Sequence, residues 1–199
     1  MCIRDSYPAL SRDNVTLHDA DDGIAKVTPT GLVTNQGHEI DLDVLVWSTG
    51  YDATDGMISY PVVGRQNKTL SDFWADYPRA YLGTTIPDFP NLFIVTGPNT
   101  GIGHTSAIFM IEAQMDYIMT CVERVLGNDD VKRIEVTRAA EARYTDYVHE
   151  EMTQTVWYDG GCTSWYQSRS GRVVAMFPGF TFVFRWMARR FKRNDHVIA

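Results

Sequence analysis

The stretch Pro90–Gln114, Pro-Asn-Leu-Phe-Ile-Val-Thr-Gly-Pro-Asn-Thr-Gly-Ile-Gly-His-Thr-Ser-Ala-Ile-Phe-Met-Ile-Glu-Ala-Gln, decides how this chain is read. Its apolar run Leu92–Val95 predicts a strand, its Gly, Asn, Thr and Pro residues a loop, and the residues after that loop a helix capped by the hydroxyl of Thr105 or Ser106. Ile108, Ile111, Met115, Ile118, Val122 and Val125 recur at spacings of three and four, which predicts a buried stripe, and Gly127-Asn128 ends the helix. A loop joining a strand to a helix N-terminus offers free N–H groups and partial positive charge to a ligand.

Gly101-Ile102-Gly103-His104-Thr105-Ser106 approximates the dinucleotide fingerprint G-x-G-x-x-G/A. Two features exclude it. Gly97-Pro98-Asn99-Thr100 separates the strand from the first glycine, and the acidic residue about 20 positions on, Glu123, lies inside the same helix.

Upstream, Val15–Leu17, Ile24–Val27 and Gly31–Thr34 read as short strands separated by Asp21-Asp22-Gly23 and Pro29-Thr30-Gly31. Val44-Leu45-Val46-Trp47 is a continuous apolar run, the pattern of a strand buried on both faces of a parallel sheet. It ends in Ser48-Thr49-Gly50-Tyr51, whose small residues allow close approach of backbone or cofactor. Downstream, Val131–Val136 reads as an edge strand. Thr137 caps a helix whose stripe is Tyr144, Tyr147, Val148, Met152 and Val156. The basic segment 185–193 reads as a terminal helix docked through Phe184, Met187 and Phe191, with its charges in water rather than on a membrane.

The chain has 199 residues, 44% of them hydrophobic, and a net charge of -7, so it folds as a globular protein and lacks the basic footprint of a nucleic-acid binder. Its three cysteines are widely spaced with no ligand-like neighbours, which predicts no metal site and a reducing, cytoplasmic compartment. No apolar run reaches the roughly 18 residues that a membrane span needs. Residues 1–6 show no pattern that continues inward and read as a foreign end.

Asp43-Val-Leu-Val-Trp-Ser-Thr-Gly-Tyr-Asp-Ala resembles the Asp-(apolar)-Ala-Thr-Gly-(Tyr/Phe) signature of the two-dinucleotide-domain flavin monooxygenases, with Ser48 in the place of Ala. Leu70-x-x-x-Trp74, Pro78-x-x-Tyr81-Leu82-Gly83 and Cys162-x-Ser164-Trp165-Tyr166, followed by Gly171-Arg172 and Phe177-Pro178-Gly179, are similar in order to the Baeyer–Villiger branch, with Phe177 in the place of Trp.

The resemblance implies an α/β, partial two-dinucleotide-binding-domain (Rossmann-like) flavoprotein. Residues 7–50 would end the NADPH-binding domain, 51–89 would form the return crossover, and 90–199 would be the C-terminal part of the FAD-binding domain. Thr49, Gly50 and Tyr51, with Gly97, Pro98, Asn99 and the backbone of Thr105, Ser106 and Ala107, would contact cofactor. Ile102, His104, Trp165 and Tyr166 would border the substrate.

The implied parent enzyme reduces FAD with NADPH, forms a flavin C4a-peroxide with O2 and inserts one oxygen into a ketone. S- or N-oxygenation by a related flavin monooxygenase, or a non-enzymatic binding module, are the alternatives. The two Gly-rich loops and the Phe-x-Gly-x-x-x-His word of the family are absent from the sequence, and two nucleotide domains ask for about 200 to 400 residues. The chain therefore reads as a C-terminal fragment, in which Arg65 and Arg79 are given no catalytic role.

Overall fold

The computed structural model describes residues 7–50, 53–55, 58–160 and 164–199. It divides into two units, Met1–Thr49 and Gly50–Ala199.

The N-terminal unit is built on an antiparallel meander of β1 (Ile24–Val27), β2 (Gly31–Thr34) and β3 (Glu39–Asp41). The first two strands fall where the turn chemistry predicts them. Leu32 pairs with Val27 on one side and with Ile40 on the other. A side chain at Gly31 would stand 1.9 Å from the Ile40 carbonyl oxygen, so this crossing of strands requires glycine. Val15–Leu17 forms no strand, and Glu39–Asp41, where apolar and acidic residues alternate, supplies the third one instead.

Val44–Trp47 departs from expectation as well. It joins no sheet, and Val44 and Val46 are each 74% exposed. A strand covered on both faces depends on parallel neighbours for its hydrogen bonds and its cover, and the described residues of this unit contain only the antiparallel meander.

The second unit begins with a crossing segment held by α1 (Leu70–Phe73), where Thr69 and Asp72 cap each other reciprocally. Leu70, Ala80, Ile86 and Phe89 bury there as a small core. The long helix α2 (Ala107–Leu126) starts at Ser106, whose hydroxyl accepts from the Phe109 N–H, and ends at Gly127. After it come β4 (Ile134–Val136), α3 (Arg138–Met152), capped by Thr137 as expected, the short α4 (Val156–Asp159), α5 (Thr181–Arg189) and β5 (His196–Ile198). The terminal strand β5 pairs antiparallel with β4. Leu92–Val95 is not part of a ladder, and Ile94 N–H donates to the Thr84 carbonyl alone.

The main core gathers Met110, Ala113, Tyr117 and Cys121 of α2, Ile134 and Val136 of β4, Tyr144 and Val148 of α3, and Phe184 and Ala188 of α5. Helix α5 packs on α2 through Phe184 and Ala188, while Arg189 pairs with Asp116 at 2.9 Å. Val156, expected at the end of the α3 stripe, instead opens α4 and is exposed. The face that α2 buries is also not the predicted one. Ile118 is buried, but Ile108 is 64% exposed and Met115 41% exposed. Both faces of α2 are apolar, the pattern of a helix between two layers, and the described residues cover the face that carries Gln114 and Tyr117.

At the end of the chain, buried His196 accepts from the Tyr117 hydroxyl at Nε2 (2.6 Å) and lies 2.9 Å from the Lys192 carbonyl at Nδ1, so Nδ1 carries the proton of a neutral ring. Burial lowers its pKa below the ordinary 6.5, outweighing Asp195 and the Lys192 carbonyl, which favour the cation; Arg193 and Arg124 add to the lowering. The unfolded chain therefore binds the proton more readily, and this contribution to stability is lost as pH falls below about 6.5. Thermal unfolding followed by circular dichroism should show a lower midpoint at pH 5.5 than at pH 7.5, with a smaller drop in His196→Gln.

Candidate functional site

The loop before α2 is positioned from both sides. Asn99 adopts the left-handed conformation (φ 54°), which asparagine tolerates better than most residues. Its side-chain amide donates to the carbonyls of Val173 (3.1 Å) and Met176 (2.9 Å). Its backbone N–H donates to Val174, Gly101 N–H donates to Ala175, and Phe177 N–H donates back to Gly101. The strand-like segment 173–177 thus holds the loop along one edge.

Gln114, about two helical turns into α2 and fully buried, holds the other edge. Its Oε1 accepts from the Thr96 N–H (3.0 Å), while its Nε2 donates to the Gly83 carbonyl (3.0 Å) and the Thr84 hydroxyl (2.8 Å). Gly83 and Gly97 meet at this point. A side chain on Gly97 would lie 2.3 Å from the Gly83 carbonyl, and one on Gly83 would lie 2.1 Å from the Thr100 methyl.

Beside this loop opens a cleft of about 230 Å3 lined by Ala53, Thr96, Gly97, Thr100, Gly101, Ala107, Met110, Trp165 and Ala175. Of the residues expected to touch cofactor or substrate, Gly97, Ala107 and Trp165 meet there. Pro98 and Asn99 lie in the same loop, and Thr105 and Ser106 are exposed at the start of α2. Tyr166 packs beside Met152, Val173 and Met176, with its ring edge-on to Trp165. Ile102 instead packs against the main core, and His104 sets its ring edge-on to Phe180, with no acidic partner among the described residues. Gly50 has φ 76° and open space around its Cα. Thr49 is exposed at the end of the N-terminal unit, and Tyr51 and Cys162 lie outside the described residues.

Ala53, Thr96, Gly101, Ala175, Gly83 and Gln114 were not anticipated in the site. The Pro78–Gly83 word was legible, but its place opposite Gly97 depends on how the crossing segment folds back. Thr54 donates its hydroxyl to the Gln167 carbonyl (2.9 Å), and Arg169 N–H donates to Asp55 (2.9 Å), which fixes Ala53 near Trp165.

Arg65 and Arg79 serve structural roles. Arg65 pairs with buried Glu135 at 2.9 Å, and Arg79 lies over the Phe73 ring and 3.8 Å from Glu141. A larger cavity of about 420 Å3 lies between α3 and α5, bordered by Tyr144, Tyr147 and Trp186. Its Arg143 and Asp195 are paired with each other at 2.7 Å.

Solved structures of similar fold are flavoprotein monooxygenases. The closed form of cyclohexanone monooxygenase matches with a TM-score of 0.75 and 29% identity, over 97% of this chain and 37% of that one. An oxidised steroid monooxygenase bound to NADP matches at 0.71 and 29%, over 96% of this chain and 37% of that one. The chain therefore has the mixed helix and strand fold of that class.

Two bacterial Baeyer–Villiger monooxygenases, from Pseudomonas aeruginosa and Streptomyces coelicolor, are each 39% identical, over 191 and 194 residues. An FAD-binding monooxygenase of Aspergillus niger is 34% identical over 180 residues. The match to the two bacterial proteins takes in 96% of this chain but 36% and 37% of theirs. The chain is thus homologous over nearly its whole length to the Baeyer–Villiger monooxygenases and spans about a third of theirs. No protein-family profile matches it.

The cleft is too small to enclose a whole cofactor. It is smaller than the roughly 300–1,000 Å3 of pockets that enclose a whole ligand. Small side chains leave room for one edge of a planar ring beside the first amide groups of α2, which have no partner within the helix. Gln114→Leu would strip the buried Gly83 C=O of its Gln114 partner, at a cost of about 1–3 kcal/mol. The unfolding midpoint should fall by about 2–4 °C per kcal/mol, and differential scanning calorimetry would measure it.

Proposed function

We propose that this chain forms one wall of the flavin and ketone site of an FAD- and NADPH-dependent Baeyer–Villiger monooxygenase. What carries the reading is the loop 97–101, held by Asn99 and Gln114 so that a cleft of small residues opens beside the N-terminus of α2. Residues 7–50 then end a Rossmann-like NADPH domain, 51–89 form the return crossover, with Thr49, Gly50 and Tyr51 at the junction of the two, and 90–199 complete the FAD domain. The buried free thiol of Cys121, with its pKa pushed up to about 11 by burial, suits a reducing, cytoplasmic setting.

FAD, when bound, would supply the redox chemistry: hydride acceptance from NADPH and activation of O2 for insertion into a ketone. This chain orients and stabilises. Gly97, Pro98 and Asn99 bring backbone against the ring edge. The amides of Thr105, Ser106 and Ala107 and the positive end of α2 favour negative charge there, an effect that fades within the first turn. Trp165 and Tyr166 exclude water from the side where the ketone enters, and Ile102 and His104 shape the loop. No residue of this chain is assigned a proton transfer.

A chimera in which this chain replaces the matching third of the Pseudomonas aeruginosa relative tests the reading. It should retain yellow flavin and convert a cyclic ketone to a lactone with NADPH, and Trp165→Ala should raise KM for the ketone several-fold with little effect on NADPH oxidation. The isolated chain should hold no stoichiometric FAD. Tight FAD binding by the isolated chain, or a flavin-loaded chimera that oxidises NADPH yet yields no lactone, would sink the proposal.

A further inference from the structure

We propose that His18, Asp22 and His38 of the N-terminal unit form a binding site for a divalent transition-metal ion with the donor character of Zn2+. The cysteine pattern predicts no metal site, but the fold assembles this one from other residue types. His18 and Asp22 are four residues apart, across the short 3-10 turn Ala20–Asp22, and the β2–β3 turn brings His38 to them from the far side. Gly37, with φ 86°, makes the turn that returns the chain at His38.

The geometry is close to a coordination sphere. The Nδ1 atoms of His18 and His38 lie 2.7 and 3.0 Å from the same Asp22 oxygen, Oδ2, and the donor atoms of the three residues are all within 4.8 Å of one another. Ligand atoms about 2.1 Å from one Zn2+ stand roughly 3.4 Å apart at the tetrahedral angle, so each imidazole nitrogen would move only slightly away from Asp22 Oδ2 to admit the ion. Two imidazole nitrogens and one carboxylate oxygen are a donor set for Zn2+, Co2+ or Ni2+, with room left for water.

Asp22 is oriented for this use. It is buried, and its other oxygen, Oδ1, accepts from the Gln36 N–H at 3.0 Å. The His18 and His38 side chains are 31% and 58% exposed, so each ring can turn its nitrogen from the carboxylate toward an ion. In the metal-free chain each Nδ1–H donates to Asp22. On binding, the proton leaves Nδ1 for Nε2 or solvent and the nitrogen lone pair goes to the metal. Bound this way, the ion would clamp the segment before β1 to the β2–β3 turn.

Calorimetric titration of ZnCl2 into the full chain, stripped with chelator at pH 7.5, is the test. One equivalent should bind, and His18→Asn and His38→Asn should each weaken that binding at least tenfold, while His104→Asn leaves it unchanged. Circular dichroism of the His38→Asn variant checks that the meander persists, since that side chain is largely in solvent. Co2+ should give the wild type a visible d–d band that both cluster variants lack. Absence of a stoichiometric event in the wild type, or a loss of less than tenfold in either cluster variant with the fold intact, would overturn the site.

Discussion

One buried amide sets the geometry of the larger unit. Gln114 is fully enclosed, and its side chain can be satisfied only if the Thr96 N–H comes to its oxygen while the Gly83 carbonyl and the Thr84 hydroxyl come to its nitrogen. A buried amide left without these partners would cost more than the hydrogen bonds return. The helix, the loop before it and the crossing segment are therefore locked together by a single residue. Gly83 and Gly97 are consequences of that lock, because the crossing segment and the loop approach too closely for a Cβ at either position.

With Gln114 holding one edge, Asn99 and the segment 173–177 hold the other, and the loop cannot relax into the space beside α2. That space remains as a cleft walled by glycine, alanine and threonine with one large ring, Trp165. Rigidity of this kind lets a helix N-terminus present its amides at a fixed place, where a dipole is most effective. The conspicuous arginines of the crossing segment do other work: Arg65 pairs with buried Glu135, and Arg79 lies over Phe73.

Two apolar surfaces stand uncovered by the described residues of their own units, the run Val44–Trp47 and the α2 face that carries Ile108 and Met115. Each has the pattern of an element that packs on both sides. This agrees with a chain about a third as long as the proteins to which it is homologous. The polar cluster at Asp22 is of another kind, since its partners all come from the small meander and its approaches.

Local chemistry alone determined a good deal. The pair Thr105-Ser106 announces the start of α2 and Thr137 that of α3, because a hydroxyl satisfies free helix amides from within a few residues, and Gly127 announces an end; the structure assigns the α2 cap to Ser106. The turns around β1 and β2 and the order of the short words that mark the flavin monooxygenases were equally legible. Tertiary structure decided the rest. Which of two apolar faces α2 buries depends on what packs against it, and periodicity shows only that both are suited to burial. Val44–Trp47 needs neighbouring strands before its pattern can become a strand. Gln114 reads as an ordinary helix residue, and His18 and His38 read as isolated histidines, until the fold brings their partners across 31 residues in one case and 16 in the other. Capping and turning are settled over a few bonds of chain, whereas burial and polar satisfaction are settled by whatever the chain places alongside.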